Sequence, residues 1–240
     1  VRATWLRCGL PEWRGEPLAG RHIIVGGEQG IGDEVQFSRF IPRLKALGAR
    51  VTALVLAENR RLFMQLGADV ALDRMERHAL TAHYVVGLMS LPLRFGCFSD
   101  VDFGRAPYLR AAPECTSSDV GVVWRGQPRH ENDRNRSMPS PDPLLDLPGA
   151  TLIEPHGDTV DSLNTLAGLQ ALVTVDTSWA HLAGAMGLPT HLLLPAIGCD
   201  WRWGEGRSDT PWYGSVRLYR QPRPGDWATP IAQVHTALAQ

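Results

Sequence analysis

Short apolar runs alternate with amphipathic stretches along this chain, and the series occurs twice. In the first half, HIIVGG, RVTALVL, ADVAL and AHYVVGL are spaced by EVQFSRFIPRLKALG and ENRRLFMQLG. After residue 119, VGVVW, ATLIE, ALVTVD and PTHLLLP are spaced by a polar loop, DSLNTLAGL and TSWAHLAGAMG. Apolar runs of strand length joined by stretches of helical period mark βαβ units, whose crossovers make the strands parallel. The chain is therefore predicted to be α/β, with two Rossmann-like domains whose mainly parallel sheets face a cleft. The segment FGRAPYLRAAPECTSSD, with two prolines and no period, reads as the crossing between them.

The predicted boundaries are a lead-in or linker over 1–20, an N-terminal domain over 21–104, a crossing over 105–119 and a C-terminal domain over 120–240. The last domain ends in a Trp- and Pro-rich segment (CDWRWGEGRSDTPWYG), a strand SVRLYRQ and a terminal helix ATPIAQVHTALAQ. A chain of 240 residues is long enough for two such cores.

Charge and cysteine usage narrow the function classes. A formal net charge of -1 gives no long-range attraction to nucleic acid or anionic lipid, and neither is expected as a partner. No apolar stretch approaches the roughly 20 residues of a spanning helix, and VRATWLRCGL lacks the apolar core of a signal peptide. Cys8, Cys97, Cys115 and Cys199 form no CxxC pair, so a reduced, cytoplasmic chain is expected. The eight histidines show no HExxH spacing, and neither a serine nor a cysteine nucleophile motif occurs. No metal site is expected from these spacings.

The loop GGEQGIGDEVQ after the first apolar run has the glycines of a phosphate loop without its other requirements. Val35 stands where a dinucleotide fingerprint needs a third small residue, and Asp33-Glu34 where a Walker loop needs Lys-Ser/Thr. Two acids at a helix start repel an anion. Asp33 followed by Gln36 reads as a capping box, with the glycines shaping the turn. The functional alternative places Asp33 at the carboxyl end of a first strand as a general base, with Gln29, Gly30 and Gly32 as its cleft loop; the two roles are compatible.

Two other stretches suit an anion better. In ALVTVDTSWAHLAGAMG a strand ends at Asp176, and Thr177 and Ser178 open a helix whose first turns hold no further acid, with His181 one turn in. Its alternative is a well-capped helix with an ordinary histidine. In WRGQPRHENDRNRSMP, Arg125, Arg129, Arg134 and Arg136 follow a strand; Arg125 and Arg136 are the favoured pyrophosphate contacts, although such loops are usually only solvated. Trp201, Trp203, Trp212 and Tyr213 read as packing, with stacking on a base or sugar as the alternative.

Taken in order, GEQGIGDEVQFSRFIP, VGVVWRGQPRHENDRNRSMP, VTVDTSWAHLAGAMGLPTHLLLP and DWRWGEGRSDTPWYGSVRLYRQPRPGDW resemble the glycosyltransferase domain that follows tetratricopeptide repeats in many bacterial proteins. More distantly they are similar to the ADP-heptose:lipopolysaccharide heptosyltransferases of glycosyltransferase family 9. The resemblance runs from Trp13 to the C-terminus. It implies a GT-B architecture, with the donor nucleotide sugar held mainly by the C-terminal domain, the acceptor by the N-terminal one, and neither cofactor nor obligatory metal. It implies Asp33 as catalytic base, and Asp176, Thr177 and His181, with Ser178 between, as the cradle of the donor phosphates. Arg136 stands where heptosyltransferases usually carry a Lys, which keeps the charge but changes the geometry.

The N-terminal domain is short for a large lipid-linked acceptor, so the acceptor stays open among glycan, lipid-linked glycan and protein. The chain starts without Met, and PEWRGEPLAGR resembles the linker after such repeats. A fragment lacking its repeats, a partner protein in their place, or a stand-alone version is expected. The function expected is thus an inverting, metal-independent glycosyltransferase; the alternative is a catalytically silent nucleotide or nucleotide-sugar binding module. A nicotinamide-dependent oxidoreductase is disfavoured by Val35.

Overall fold

The structure, a computed structural model, describes residues 9–76, 80–104, 107–111, 119–154 and 157–239. The chain divides into two units, residues 1–103 with 157–161 and residues 104–156 with 162–240. Most of the crossing predicted over 105–119 lies outside the described residues, as do Cys8 and Cys115; Cys97 and Cys199 are free thiols.

The first unit contains β1 (His22–Gly26), α1 (Ile31–Phe37), α2 (Ile41–Ala46), β2 (Arg50–Val55), α3 (Arg60–Gln65), β3 (Val70–Asp73), β4 (Tyr84–Gly87) and α4 (Leu91–Arg94). Its four strands are parallel in the order β3-β2-β1-β4, with Val25 of β1 opposite Ala53 and Val86. Ile23, Ile24 and Val25 are fully buried, which is why β1 reads as a continuous apolar run. The single helix predicted over EVQFSRFIPRLKALG is instead broken by a 3-10 turn at Ser38–Phe40. Pro42 is the cause: it lacks an N–H and is accommodated only in the first turn of a new helix, α2. Part of the lead-in packs onto this unit: Trp13 N–H donates to the Val85 carbonyl and Val85 N–H to that of Pro11, both at 2.9 Å. The Trp13 ring is buried edge-on to Phe95.

The second unit contains β5 (Val120–Val123), α5 (Asp133–Arg136), α6 (Asp142–Leu145), β6 (Ala150–Leu152), most of α7 (Thr159–Ala167), β7 (Ala171–Val175), α8 (Ser178–Met186), β8 (Thr190–Leu194), β9 (Val216–Arg220) and α9 (Ala228–Leu238). Five parallel strands run in the order β6-β5-β7-β8-β9. Val122, Val173, Leu193, Trp227 and Val234 share its core. Among the described residues no helix is long and apolar enough to cross a membrane.

Each sheet reverses its strand order once, between β1 and β4 in the first unit and between β5 and β7 in the second. In open parallel sheets the crevice at the carboxyl ends of the strands, at such a reversal, is where ligands bind. The predicted loops sit at these two reversals: GGEQG leaves β1, the arginine loop leaves β5, and Asp176 follows β7.

Candidate functional site

The acids of the GGEQGIGDE loop fold back onto the first unit. Gly30 has extended backbone and α1 starts at Ile31, so the capping contact expected from Asp33 toward Gln36 lies one turn earlier. Asp33 is the third helical residue, and its Oδ2 accepts the Gly30 N–H at 2.7 Å. Gly30 has no side chain, so only half of a capping box is formed. Gln36, the partner expected for Asp33, is fully buried.

The neighbouring Glu34 is 1% exposed. Its Oε2 accepts the Leu56 N–H at 2.9 Å and Asn59 Nδ2 at 2.8 Å, and Arg74 Nε lies 3.2 Å from Oε1 as an ion pair. Arg74 also donates through Nη2 to the Gln29 carbonyl, so one guanidinium ties Glu34 to the loop. Burial pushes the Glu34 carboxyl up to about 7, against the opposing pull of the Asn59 bond and the Arg74 charge. Glu28 reaches across the reversal, its Oε2 accepting the Met89 N–H of the loop after β4 at 2.8 Å, and burial raises its pKa as well.

At the reversal of the second unit, Arg136 of α5 spans the crevice. Its Nη1 donates to the carbonyl of Asp176 at 2.8 Å. The guanidinium lies against Gly126, where an added Cβ would come within 2.5 Å of Nη2, so a side chain at this position would displace the guanidinium. At the start of α8, Thr177 is the extended N-cap residue, its side chain makes no capping bond, and the first turn holds no acid. The Thr177 hydroxyl is instead 3.2 Å from that of Thr174 on β7. Arg125 is exposed and stacks over its neighbour Trp124 at 4.7 Å, so of the two favoured arginines Arg136 is the one brought to the crevice.

Asp176 is partly exposed as a residue, but its carboxyl group is enclosed, and burial pushes it up to about 6. The Trp203 indole, Arg136 and Arg202 oppose that shift, and the Asp200 charge adds to it. Among the described residues Trp203 Nε1 makes no hydrogen bond of full geometry, and it acts on Asp176 as a nearby dipole. His181 is 6% exposed, with Nδ1 2.9 Å from the Tyr213 hydroxyl and its ring 5.2 Å from that of Trp203. It therefore pins the aromatic segment to α8. Trp203, Trp212 and Tyr213 are buried in that packing, while Trp201 is exposed.

Sequence reasoning missed Glu28, Glu34 and Arg74. The available signal was Arg74 directly after β3, a cation at the carboxyl end of the strand next but one to the acidic loop. A groove of about 510 Å³ along α3 between Arg60, Met64 and Asp158 includes none of the predicted site residues, and the strand-order argument outweighs its size. Among the described residues no group of three or more His, Cys, Asp or Glu side chains is placed to hold a metal ion.

The architecture is an α/β fold of two parallel sheets, and it is shared with known glycosyltransferases. The E. coli heptosyltransferase WaaC with ADP-2-deoxy-2-fluoro heptose is similar at a TM-score of 0.55 and 10% identity, over 90% of this chain and 98% of that one. E. coli ADP-heptose lps heptosyltransferase II is similar at 0.55 and 12%, over 91% and 99%. At such identities the likeness is one of fold. Protein FlbA of Caulobacter vibrioides is 24% identical over 94% of this chain, which spans about half, 48%, of the length of that protein. No family model matches the chain.

Proposed function

We propose that the chain is a glycosyltransferase domain that takes a sugar from a nucleotide-diphosphate donor, with inversion and without an obligatory metal. The observation that carries this reading is the start of α8, which Thr177 does not cap, beside Arg136 at the strand-order reversal of the second unit. The positive end of the α8 dipole and a guanidinium suit a diphosphate, and they offset the charge that builds on it as it departs. The shared fold of WaaC and heptosyltransferase II supports the assignment.

In the proposed reaction the acceptor hydroxyl attacks the anomeric carbon and Asp33 takes its proton. The new C–O bond forms as the bond from the anomeric carbon to the β-phosphate oxygen breaks, and that electron pair leaves on the nucleoside diphosphate. Thr177, Ser178 and the α8 backbone hold the diphosphate, Arg136 neutralises it, and His181 keeps α8 and the aromatic segment in register. The domain is proposed to work within a longer, repeat-containing protein, the repeats or a partner presenting the acceptor.

Asp33 already serves α1 as a cap, and this favours a second reading, a binding module without turnover. A thermal-shift panel of nucleoside diphosphates and nucleotide sugars, followed by donor-consumption assays on wild type and Asp33→Asn, separates the two. Transfer predicts that Asp33→Asn binds donor normally and loses at least about 100-fold in turnover, as removal of a general base does. A silent module predicts binding with no donor consumed by either protein. Silence across the panel would sink both.

A further inference from the structure

The second unit carries a separate recess at the carboxyl ends of β8 and β9, on the far side of that sheet from β6. Its volume is about 50 Å³, and Arg134, Asn135, Ile197, Gln221 and Trp227 line it. That is room for a few water-sized groups, so it fits the end of a ligand and not a whole nucleotide.

Gln221, directly after β9, is 5% exposed. Its amide is fixed at one end, where Oε1 accepts the Ala196 N–H at 3.2 Å. The opposite orientation would set N–H against N–H, so the bond determines which end is oxygen. Nε2 is thereby turned away from Ala196, and among the described residues it has no hydrogen-bond partner. A buried amide donor left unmatched is costly, and such a group calls for an acceptor from outside the chain. Arg134 brings a positive charge to the same recess from α5, while Ile197 and the buried Trp227 give it an apolar wall. Gln221, with its unmatched amide donor, and Arg134, with its cation, thus line one recess.

We propose that this recess binds a small oxyanion group, a phosphate or a carboxylate, whose oxygens are met by Gln221 Nε2 and the Arg134 guanidinium. The inference stands apart from the glycosyl-transfer reading: Arg136 of the same short helix bonds to the Asp176 carbonyl in the β5–β7 crevice, whereas Arg134 lines the recess.

The test is an NMR titration of the full chain with inorganic phosphate and, separately, with acetate at constant ionic strength. The Gln221 side-chain amide and the Trp227 indole N–H report the recess, and the backbone amides of Ser178–His181 report the crevice. The expected result is saturable shifts at Gln221 and Trp227, weakened at least threefold by Arg134→Ala and abolished at Trp227 by Gln221→Leu. Arg134 is exposed, so its variant keeps the fold and the test even if Gln221→Leu does not. Saturation by phosphate alone identifies a phosphate group, and by acetate alone a carboxylate. Shifts that stay linear, or that saturate unchanged in the Arg134→Ala protein, overturn the proposal. A titration with ADP that saturates at Ser178–His181 and leaves Gln221 still supports the donor site alone and leaves the recess to its own anions, so the two readings fail separately.

Discussion

At the scale of single residues, the loop after β1 is held by charges that the fold itself has made expensive to ionise. Glu34 has a folded pKa of about 7 against an ordinary value of 4.5, so between those pH values the folded protein holds a proton that the unfolded chain has released. Stability therefore falls as pH rises through that window, and the penalty is complete above it, at most about 3 kcal/mol. Replacing Glu34 with Gln removes the titration and keeps an acceptor for Leu56 or Asn59. The predicted outcome is a Glu34→Gln protein whose denaturation midpoint changes less than that of wild type between pH 4.5 and 7, measured by urea unfolding at several pH values. Equal slopes for the two proteins would show that the Glu34–Arg74 pair stays ionised throughout. Asp176 acts in the same direction at lower pH, with its carboxyl raised to about 6, so part of the slope survives in the variant.

At the scale of elements, α8 differs along its length: its start is neither capped by Thr177 nor acidic, and its body is locked against the aromatic segment. Gly184 sits at the contact, where an added Cβ would lie 2.5 Å from the Tyr213 ring. Alanine in a helix interior ordinarily gains up to about 1 kcal/mol over glycine. Here the Tyr213 ring is buried and bonded to His181, so it cannot retreat, and overpacking of roughly 1–3 kcal/mol wins. Gly184→Ala is thus predicted to lower the melting temperature, and a rise would mean that the segment repacks freely. The strands and the long helices of both units were legible because each is a clean apolar run or a full amphipathic period. The helical break at Pro42 was a local rule outvoted by the apolar pattern around it. Residues 34–37 are all buried, so α1 has no polar face from which the inward turn of Glu34 could be read. Arg74 meets Glu34 only through the order β3-β2-β1, which no local pattern encodes. The phosphate-suited start of α8 was legible because it depends on consecutive residues, the absence of acids after Asp176. Arg136 was favoured already among the arginines of its loop and again by the family resemblance, but its bond to the Asp176 carbonyl spans 40 positions and no local pattern shows it.

For the molecule as a whole, two parallel sheets with one reversal each supply two crevices, and their linings differ in character. The β1–β4 crevice is bridged by the carboxylate of Glu28, with Asp33 one turn into the helix that leaves it; the β5–β7 crevice combines Arg136 with a helix start that Thr177 does not cap. The proposed function draws on this asymmetry more than on any single motif, with the anionic donor proposed for the second unit and the proton acceptor for the first. The most direct test is calorimetric titration of the full chain with ADP and UDP, in wild type and Arg136→Ala. The account predicts saturable one-to-one binding of a nucleoside diphosphate. Arg136→Ala should weaken it about 10- to 100-fold, the loss expected for charge-assisted hydrogen bonds worth roughly 1.5–3 kcal/mol. Binding of equal strength in the variant, or no binding of either nucleotide to the wild type, would contradict it.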